Sequence, residues 1–138
     1  MLTRRAFVAA LLGAVPLLRD RPLRMRRDHP EPRAGIDASR VTPASALTGH
    51  PDAVPVFDMV REIPQVVDGI RCQCGCGDKP ERYSLLTCFE GEAPMARRCE
   101  GCKAQARLVH RLHGEGKTLA EIRQAIDEEF GNQGDSRR

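Results

Sequence analysis

The sequence predicts a mainly α-helical protein, in which a small cysteine-rich domain ends in an antiparallel helical hairpin. Three features of the 138-residue chain support this prediction. Two segments with the apolar spacing of amphipathic helices fill the C-terminal third, and a third such segment lies near the middle of the chain. All six cysteines lie between Cys72 and Cys102, so a single small domain would contain them.

Charge is unevenly distributed along the chain. Residues 1–39 contain eight Arg and four acidic residues, whereas residues 40–138 contain fourteen basic and fifteen acidic residues. The net charge of +3 therefore comes from the N-terminal segment. Nucleic-acid binding requires a basic patch on the folded part. The sequence gives no sign of one there, so we expect no nucleic-acid partner.

Residues 1–27 have the features of an export signal. Thr3-Arg4-Arg5-Ala6-Phe7 resembles the start of a twin-arginine signal, although paired arginines also fit the positive region of an ordinary secretory signal. The apolar run from Ala6 to Leu18 is shorter than the roughly 20 residues of a membrane span. Five more arginines follow it, and no clear Ala-x-Ala cleavage site does. We therefore predict a twin-arginine-like signal or an N-terminal anchor.

This segment also sets the expected location. The protein is predicted to be exported, either to the periplasm or to the outer face of the cytoplasmic membrane. Membrane association is expected only through an uncleaved N-terminal segment.

Residues 28–55 are predicted to be a disordered, Pro-rich linker. The segment contains five prolines and two glycines and shows no hydrophobic period. The cysteine-rich helical domain is accordingly assigned to residues 56–131, and residues 132–138 are assigned to a polar tail.

The first helix is predicted directly after this linker. Its apolar face has the i, i+3, i+4, i+7 spacing of a helix and consists of Val56, Met59, Val60 and Ile63. Pro64 should end this helix, because the residue before a proline is disfavoured in the helical conformation. The segment from Val66 to Ile70 is then expected to be extended and to lead into the cysteines.

The helical hairpin is predicted from Glu100 onward. Its first helix should run from about Glu100 to His113 and end at the glycines that follow. Thr118 should start the second helix, with Glu121 completing a capping box, and Gly131 is placed to end it. The apolar face of this second helix consists of Leu119, Ile122, Ala125, Ile126 and Phe130.

The strongest motif is Cys72-Gln73-Cys74-Gly75-Cys76-Gly77. In an extended segment, alternate side chains point to one face about 6.6 Å apart. Sulfurs that share a metal lie roughly 4 Å apart, since metal–sulfur bonds are about 2.3 Å long. The segment must therefore curl, and its two glycines permit this.

The second cluster, Cys99-Glu100-Gly101-Cys102, lies at the start of a predicted helix. Unpaired amides and the helix dipole favour the thiolate form there, which suits both metal binding and redox chemistry. Cys88 lies between the two clusters. The predicted metal ligands are Cys72, Cys74, Cys76, Cys88, Cys99 and Cys102.

Two questions stay open at this point: whether the cysteines form disulfides or bind a metal, and which metal they bind. An exported small domain could instead pair its six cysteines in three disulfides, although three cysteines within five residues favour a shared metal. An all-sulfur ligand set fits the soft ion Cu(I) first. Zinc ranks second, because only Cys99 and Cys102 have the usual zinc spacing, and an iron–sulfur cluster ranks third.

The region from Val56 to Phe130 resembles a family of bacterial exported proteins named for a Pro-Cys-Tyr-Cys-Gly-Cys motif. The matching parts are Ile63–Ile70, Cys72–Cys76, Ser84-Leu85, Cys88-Phe89, Cys99 with Cys102, and Gly116–Arg123. The sequence departs from that family at Arg71 and Gln73, where the family has Pro and Tyr, but every cysteine is kept. The resemblance implies a fold, export and a site rather than an activity, because the family's function is undefined.

A second resemblance links Cys99, Cys102 and the helical hairpin to the thiol reductases of cytochrome c maturation, which lack a Cys-x-Cys-x-Cys unit. Two function classes therefore remain. The favoured one is a binding protein, not an enzyme, that holds or transfers a soft metal, with a metal-delivery protein as partner. The alternative is an extracytoplasmic thiol–disulfide oxidoreductase that acts on a redox partner through Cys99 and Cys102.

Overall fold

The computed structural model describes residues 28–75 and 79–131. The α-helices in this part of the chain are α1 (Val54–Glu62), α2 (Pro64–Asp68), α3 (Glu100–Gly114) and α4 (Leu119–Phe130). Short 3-10 helices lie at Ala38–Arg40, Ala44–Ala46, Leu86–Phe89 and Met95–Arg97. The described ranges contain no strand, and none of their helices is long and apolar enough to cross a membrane. The predicted signal, the polar tail and Cys76 lie outside these ranges.

The predicted mainly α-helical fold with a C-terminal helical hairpin is confirmed. Helix α3 packs against both α1 and α4. At its end, the backbone N–H groups of Gly116 and Lys117 donate to the carbonyls of His113 and Leu112 at 2.9 and 3.0 Å. Gly116 has a φ of 80°, which glycine adopts without steric cost. This Schellman-type end turns the chain back into α4.

Helix α4 begins with the predicted capping box. The Thr118 hydroxyl accepts the Glu121 N–H at 3.3 Å, and the Glu121 carboxylate accepts the Thr118 N–H at 2.7 Å. These two bonds satisfy amides that have no partner within the helix. The residues that α4 buries are Ile122, Ile126 and Phe130.

The region around Pro64 differs from the prediction. Helix α1 ends at Glu62 and Ile63 leaves the helical conformation, as expected before a proline. The following segment is not extended, however, because Pro64 starts α2. A proline fits the first turn of a helix, where its missing N–H needs no partner. The chain therefore makes a second short turn of helix before it reaches the cysteines.

The prediction that residues 28–55 form a disordered linker is wrong, because this segment buries several hydrophobic side chains. Those side chains are Ile36, Val41, Leu47 and Ala53. They lie singly in turns and irregular segments beside two short 3-10 helices that bury no residue themselves, so they leave no helical or strand period in the sequence. The backbone is also tied to the rest of the fold, since Thr42 N–H donates to Phe89 O at 3.0 Å. Residues 28–53 thus form one wall of the core.

A buried carboxylate holds this wall in place. Asp68, at the end of α2, accepts hydrogen bonds from the Arg33 backbone and guanidinium at 2.7 Å and from the Ser84 hydroxyl at 2.7 Å. Burial alone would raise the pKa of Asp68, but the bonds from Arg33 and Ser84 outweigh it and hold the pKa below its usual value. The carboxylate therefore stays ionised and links three separate parts of the chain.

Candidate metal centre

Two distant stretches of chain bring three cysteine sulfurs together. Cys72 and Cys74 lie on the irregular segment that follows α2, and Cys102 lies in the first turn of α3. Their Sγ–Sγ distances are 3.0 Å from Cys72 to Cys74, 3.4 Å from Cys74 to Cys102 and 3.8 Å from Cys72 to Cys102. All three sulfurs lie within 4.8 Å of one another, which allows them to bind one metal ion.

Cys99 lies at the more open side of this group. It is the N-cap of α3, and its sulfur accepts the Cys102 N–H at 3.4 Å. The same sulfur lies 3.8 Å from that of Cys74. Cys74 and Cys99 are half-buried, whereas Cys102 is 0% exposed. Access from solvent therefore runs past Cys74 and Cys99.

Cys88 is buried near Cys72 and Cys102. It lies on the 3-10 helix Leu86–Phe89 and is 0% exposed. Hydrogen bonds with Cys102 and Cys72 lower the pKa of Cys88 to about 5. Hydrogen bonds with Cys72 and Cys74 raise the pKa of Cys102. The opposite directions of these two pKa shifts show that Cys88 and Cys102 titrate as a coupled pair.

The structure brings together three of the six cysteines that the sequence singles out, Cys72, Cys74 and Cys102, with Cys99 next to Cys74 and Cys88 buried nearby. No disulfide joins any two of these described residues. Even the shortest distance, 3.0 Å between Cys72 and Cys74, exceeds a disulfide bond of about 2.05 Å. The sixth predicted ligand, Cys76, lies outside the described residues.

Gln105 is a functional residue that the sequence analysis missed. Its side chain is buried on α3, where the amide oxygen accepts the Gln73 N–H at 2.9 Å. The amide nitrogen donates to Gly101 O at 3.0 Å and lies 3.8 Å from the Cys72 sulfur. One side chain thus fixes the backbone between Cys72 and Cys74 to the helix that carries Cys102. The sequence feature that could have indicated this role is the position of Gln105 three residues after Cys102, on the same helical face.

Gly101 lets the two segments approach this closely. A Cβ at this position would lie 2.9 Å from the Cβ of Cys74. Gly101 therefore has a steric reason to be glycine that the Cys-x-x-Cys spacing alone does not show.

A second anchor joins the cysteine segment to α4 and to the N-terminal wall. The Gln73 amide donates to Asp127 at 2.8 Å, and the Arg71 N–H donates to Nδ1 of His29 at 2.9 Å. Nε2 of His29 lies 3.1 Å from the Asp127 carboxylate. Because Nδ1 accepts, the ring proton lies on Nε2 and is donated to Asp127. Burial lowers the pKa of His29, so the ring stays neutral in this arrangement.

Comparisons with known proteins add no assignment. No family model, curated protein or solved structure matches the chain. The function is therefore argued from the thiol group and its surroundings.

Gly101→Ala should push Cys74 away from α3. The new Cβ forces the backbone to move, and overpacking of this kind costs about 1–3 kcal/mol. We expect a lower free energy of unfolding, measured with urea, and faster alkylation of Cys74, followed by mass spectrometry.

The matched control is Gly114→Ala at the other end of α3, where nothing lies within 4 Å of the added Cβ. This change should stabilise the protein by roughly 0.5–1 kcal/mol and leave the alkylation rate of Cys74 unchanged. If Gly101→Ala behaved like this control, the close approach described here would be incorrect.

Proposed function

We propose that this is an exported protein that holds or transfers a soft metal ion, with Cu(I) as the favoured ion. The observation that carries the proposal is the group formed by Cys72, Cys74 and Cys102, whose three sulfurs lie within 4.8 Å of one another. The group consists of cysteines alone, and such sets select soft ions such as Cu(I) over ions that prefer oxygen.

The number of close sulfurs favours Cu(I) over zinc at this group. Structural zinc is almost always bound by four ligands in a tetrahedron, so it would need Cys99, whose sulfur lies 3.8 Å from that of Cys74, in addition to the three. Cu(I) accepts lower coordination numbers, so the three convergent sulfurs satisfy it alone. The burial of Cys72 and Cys102 also fits Cu(I). This monovalent ion can be bound by sulfur alone and needs no water molecule as a ligand, so a site from which solvent is excluded suits it. Zinc and an iron–sulfur cluster remain the alternatives that a binding experiment must separate.

Export is part of the proposal and rests on the sequence. Thr3-Arg4-Arg5-Ala6-Phe7 has the pattern of a twin-arginine signal, a route that carries folded proteins. The resemblance to the exported Pro-Cys-Tyr-Cys-Gly-Cys family supports the same location. Changing Arg4 and Arg5 together to Lys should retain the protein in the cytoplasm in cell fractionation. Normal export of this variant would point to the general secretory route.

A second candidate function, a dithiol oxidoreductase, is favoured by the geometry of Cys99. Its sulfur accepts a helix N-terminal N–H and is half-buried, while Cys102 is buried behind it. An accessible nucleophilic thiol followed by a buried resolving thiol suits thiol–disulfide exchange. The contacts of Cys102 with Cys72 and Cys74 favour the metal function over this one.

The metal proposal predicts tight Cu(I) binding that depends on Cys102. Reduced, metal-free full-length protein is titrated anaerobically with Cu(I) against a competing Cu(I) chelator, and then with zinc. Cys102→Ser should weaken Cu(I) binding by more than about 100-fold, because loss of outer contacts alone costs about 10–100-fold. Ala104→Ser, on the same helix, is the control and should bind as the wild type does.

The same samples should differ in thermal stability. At a free Cu(I) concentration one hundred times Kd, binding adds about 2.7 kcal/mol to the free energy of unfolding, which raises the Tm by roughly 10–20 °C for a domain of this size. Cys102→Ser should lose this increase. A wild type that binds neither Cu(I) nor zinc and melts unchanged would contradict the proposal.

The second candidate predicts a trapped adduct. Cys99 thiolate attacks a partner disulfide, forms a mixed disulfide and releases the partner's other sulfur as thiolate. With Cys102→Ser the resolving step is lost, but Cys74 lies 3.8 Å from Cys99 and could replace it. The variant Cys74→Ser/Cys102→Ser should therefore accumulate adducts on non-reducing gels of its own host. Adducts that persist when Cys99 is also Ser, or no adducts at all, would count against an oxidoreductase.

A further inference from the structure

Gln105 donates a hydrogen bond to one of the three sulfurs. Its side-chain Nε2 donates to Cys72 Sγ at 3.8 Å, and it also donates to the Gly101 carbonyl at 3.0 Å. Gln105 and Cys72 are both buried, with exposed fractions of 0% and 4%. The side-chain amide of glutamine has two N–H groups, so it can serve both acceptors at once.

The other partners of this amide fix its orientation. The Gln73 backbone N–H can only donate, and it meets Oε1 of Gln105 at 2.9 Å. The Gly101 carbonyl can only accept, so it requires Nε2. Turning the amide over would place a donor against a donor and an acceptor against an acceptor. The group that faces the Cys72 sulfur is therefore an N–H donor.

A donor at this position acts on the charge of a bound metal complex. Three thiolates around a monovalent ion leave two negative charges, whereas three thiolates around a divalent ion leave one. Buried charge is costly unless it is offset, and both Cys72 and Cys102 are buried. Hydrogen bonds to charged groups are stronger than those between neutral groups. The N–H donor should therefore stabilise the monovalent complex, which carries more negative charge, more than the divalent one.

The two buried sulfurs have different local support. Cys102 lies in the first turn of α3, where the helix dipole favours negative charge. Cys72 lies on an irregular segment, and Gln105 supplies a donor to it there. The lysine that follows Cys102 is already engaged, since Lys103 pairs with two carboxylates, the nearer being that of Asp52 at 2.8 Å.

We propose that Gln105 helps the site to select a monovalent soft ion over a divalent one, by donating a hydrogen bond to the Cys72 sulfur. Gln105 contacts a ligand and not the ion, so it is a positioning residue that acts through Cys72. This inference rests on the proposed function and adds a residue that determines which soft ion the three sulfurs prefer.

The test compares the affinities of the reduced full-length protein for Cu(I) and for Cd²⁺, a divalent ion that also binds sulfur. Each affinity is measured anaerobically by competition with a chelator. Gln105→Leu removes the donor and should weaken Cu(I) binding by about 10–100-fold, the range for loss of a group that hydrogen-bonds a metal ligand. Cd²⁺ binding should weaken by a smaller factor, so the ratio of the Cu(I) affinity to the Cd²⁺ affinity should fall.

Gln105→Lys separates the donor from the acceptor. A lysine can donate to the Cys72 sulfur but cannot accept the Gln73 N–H, so both affinities should fall while their ratio stays at or above the wild-type value. Gln65→Leu on α2 is the control, because it removes an amide donor from the Ile36 carbonyl and should leave the ratio unchanged. Gln105→Ala is a second variant without the donor, in case Gln105→Leu does not fold.

The outcomes separate this inference from the proposed function. An unchanged ratio in Gln105→Leu and Gln105→Ala would overturn the inference, because a residue that only holds the backbone would weaken binding of both ions alike. A ratio that falls in Gln105→Lys as far as in Gln105→Leu would also overturn it. Both results leave Cu(I) binding by the wild type standing, whereas a wild type that binds no Cu(I) would overturn the proposed function as well.

Discussion

The close approach between the first turn of α3 and the segment that carries Cys72 and Cys74 is the contact on which the site depends. Cys74 and Cys102 are 28 residues apart in sequence, yet their sulfurs lie 3.4 Å apart. Gly101 makes room for this approach, and Gln105 gives the Gln73 N–H a partner that the irregular segment lacks. A buried backbone N–H must be hydrogen-bonded. The side-chain amide of Gln105 therefore allows a cysteine segment without regular structure to lie against the helix.

The rest of the fold holds that contact from both sides. Asp127 on α4 accepts from the Gln73 side chain, and His29 accepts the Arg71 N–H. Asp68 fixes Arg33 and thereby the N-terminal wall. The cysteine segment is thus bonded to α3, to α4 and to residues before α1, which explains why it keeps its position with little secondary structure of its own.

The helical hairpin could be predicted because its signals are local. Apolar spacing, the Thr118–Glu121 capping box and the glycines after α3 all act within a few residues. The position of the N-terminal wall could not be predicted in this way. Ile36, Val41 and Leu47 are buried individually from turns, so their burial depends on contacts with distant parts of the chain.

The candidate site was predictable to a similar degree. The cysteine spacing correctly indicated that both clusters contribute to the group of three sulfurs. It could not show that Gln105 joins the two segments, since this depends on tertiary packing. Pro64 shows the same limit, because a proline that ends one helix can also start the next.

The central claim is that thiols from the two separate segments bind the same metal. Cadmium NMR of the full-length protein tests it directly, since Cd²⁺ replaces soft ions at thiolate sites and couples to the β-protons of each bound cysteine. The account predicts couplings from one cadmium ion to Cys72, Cys74 and Cys102. Couplings confined to Cys99 and Cys102, or separate signals for each segment, would contradict it.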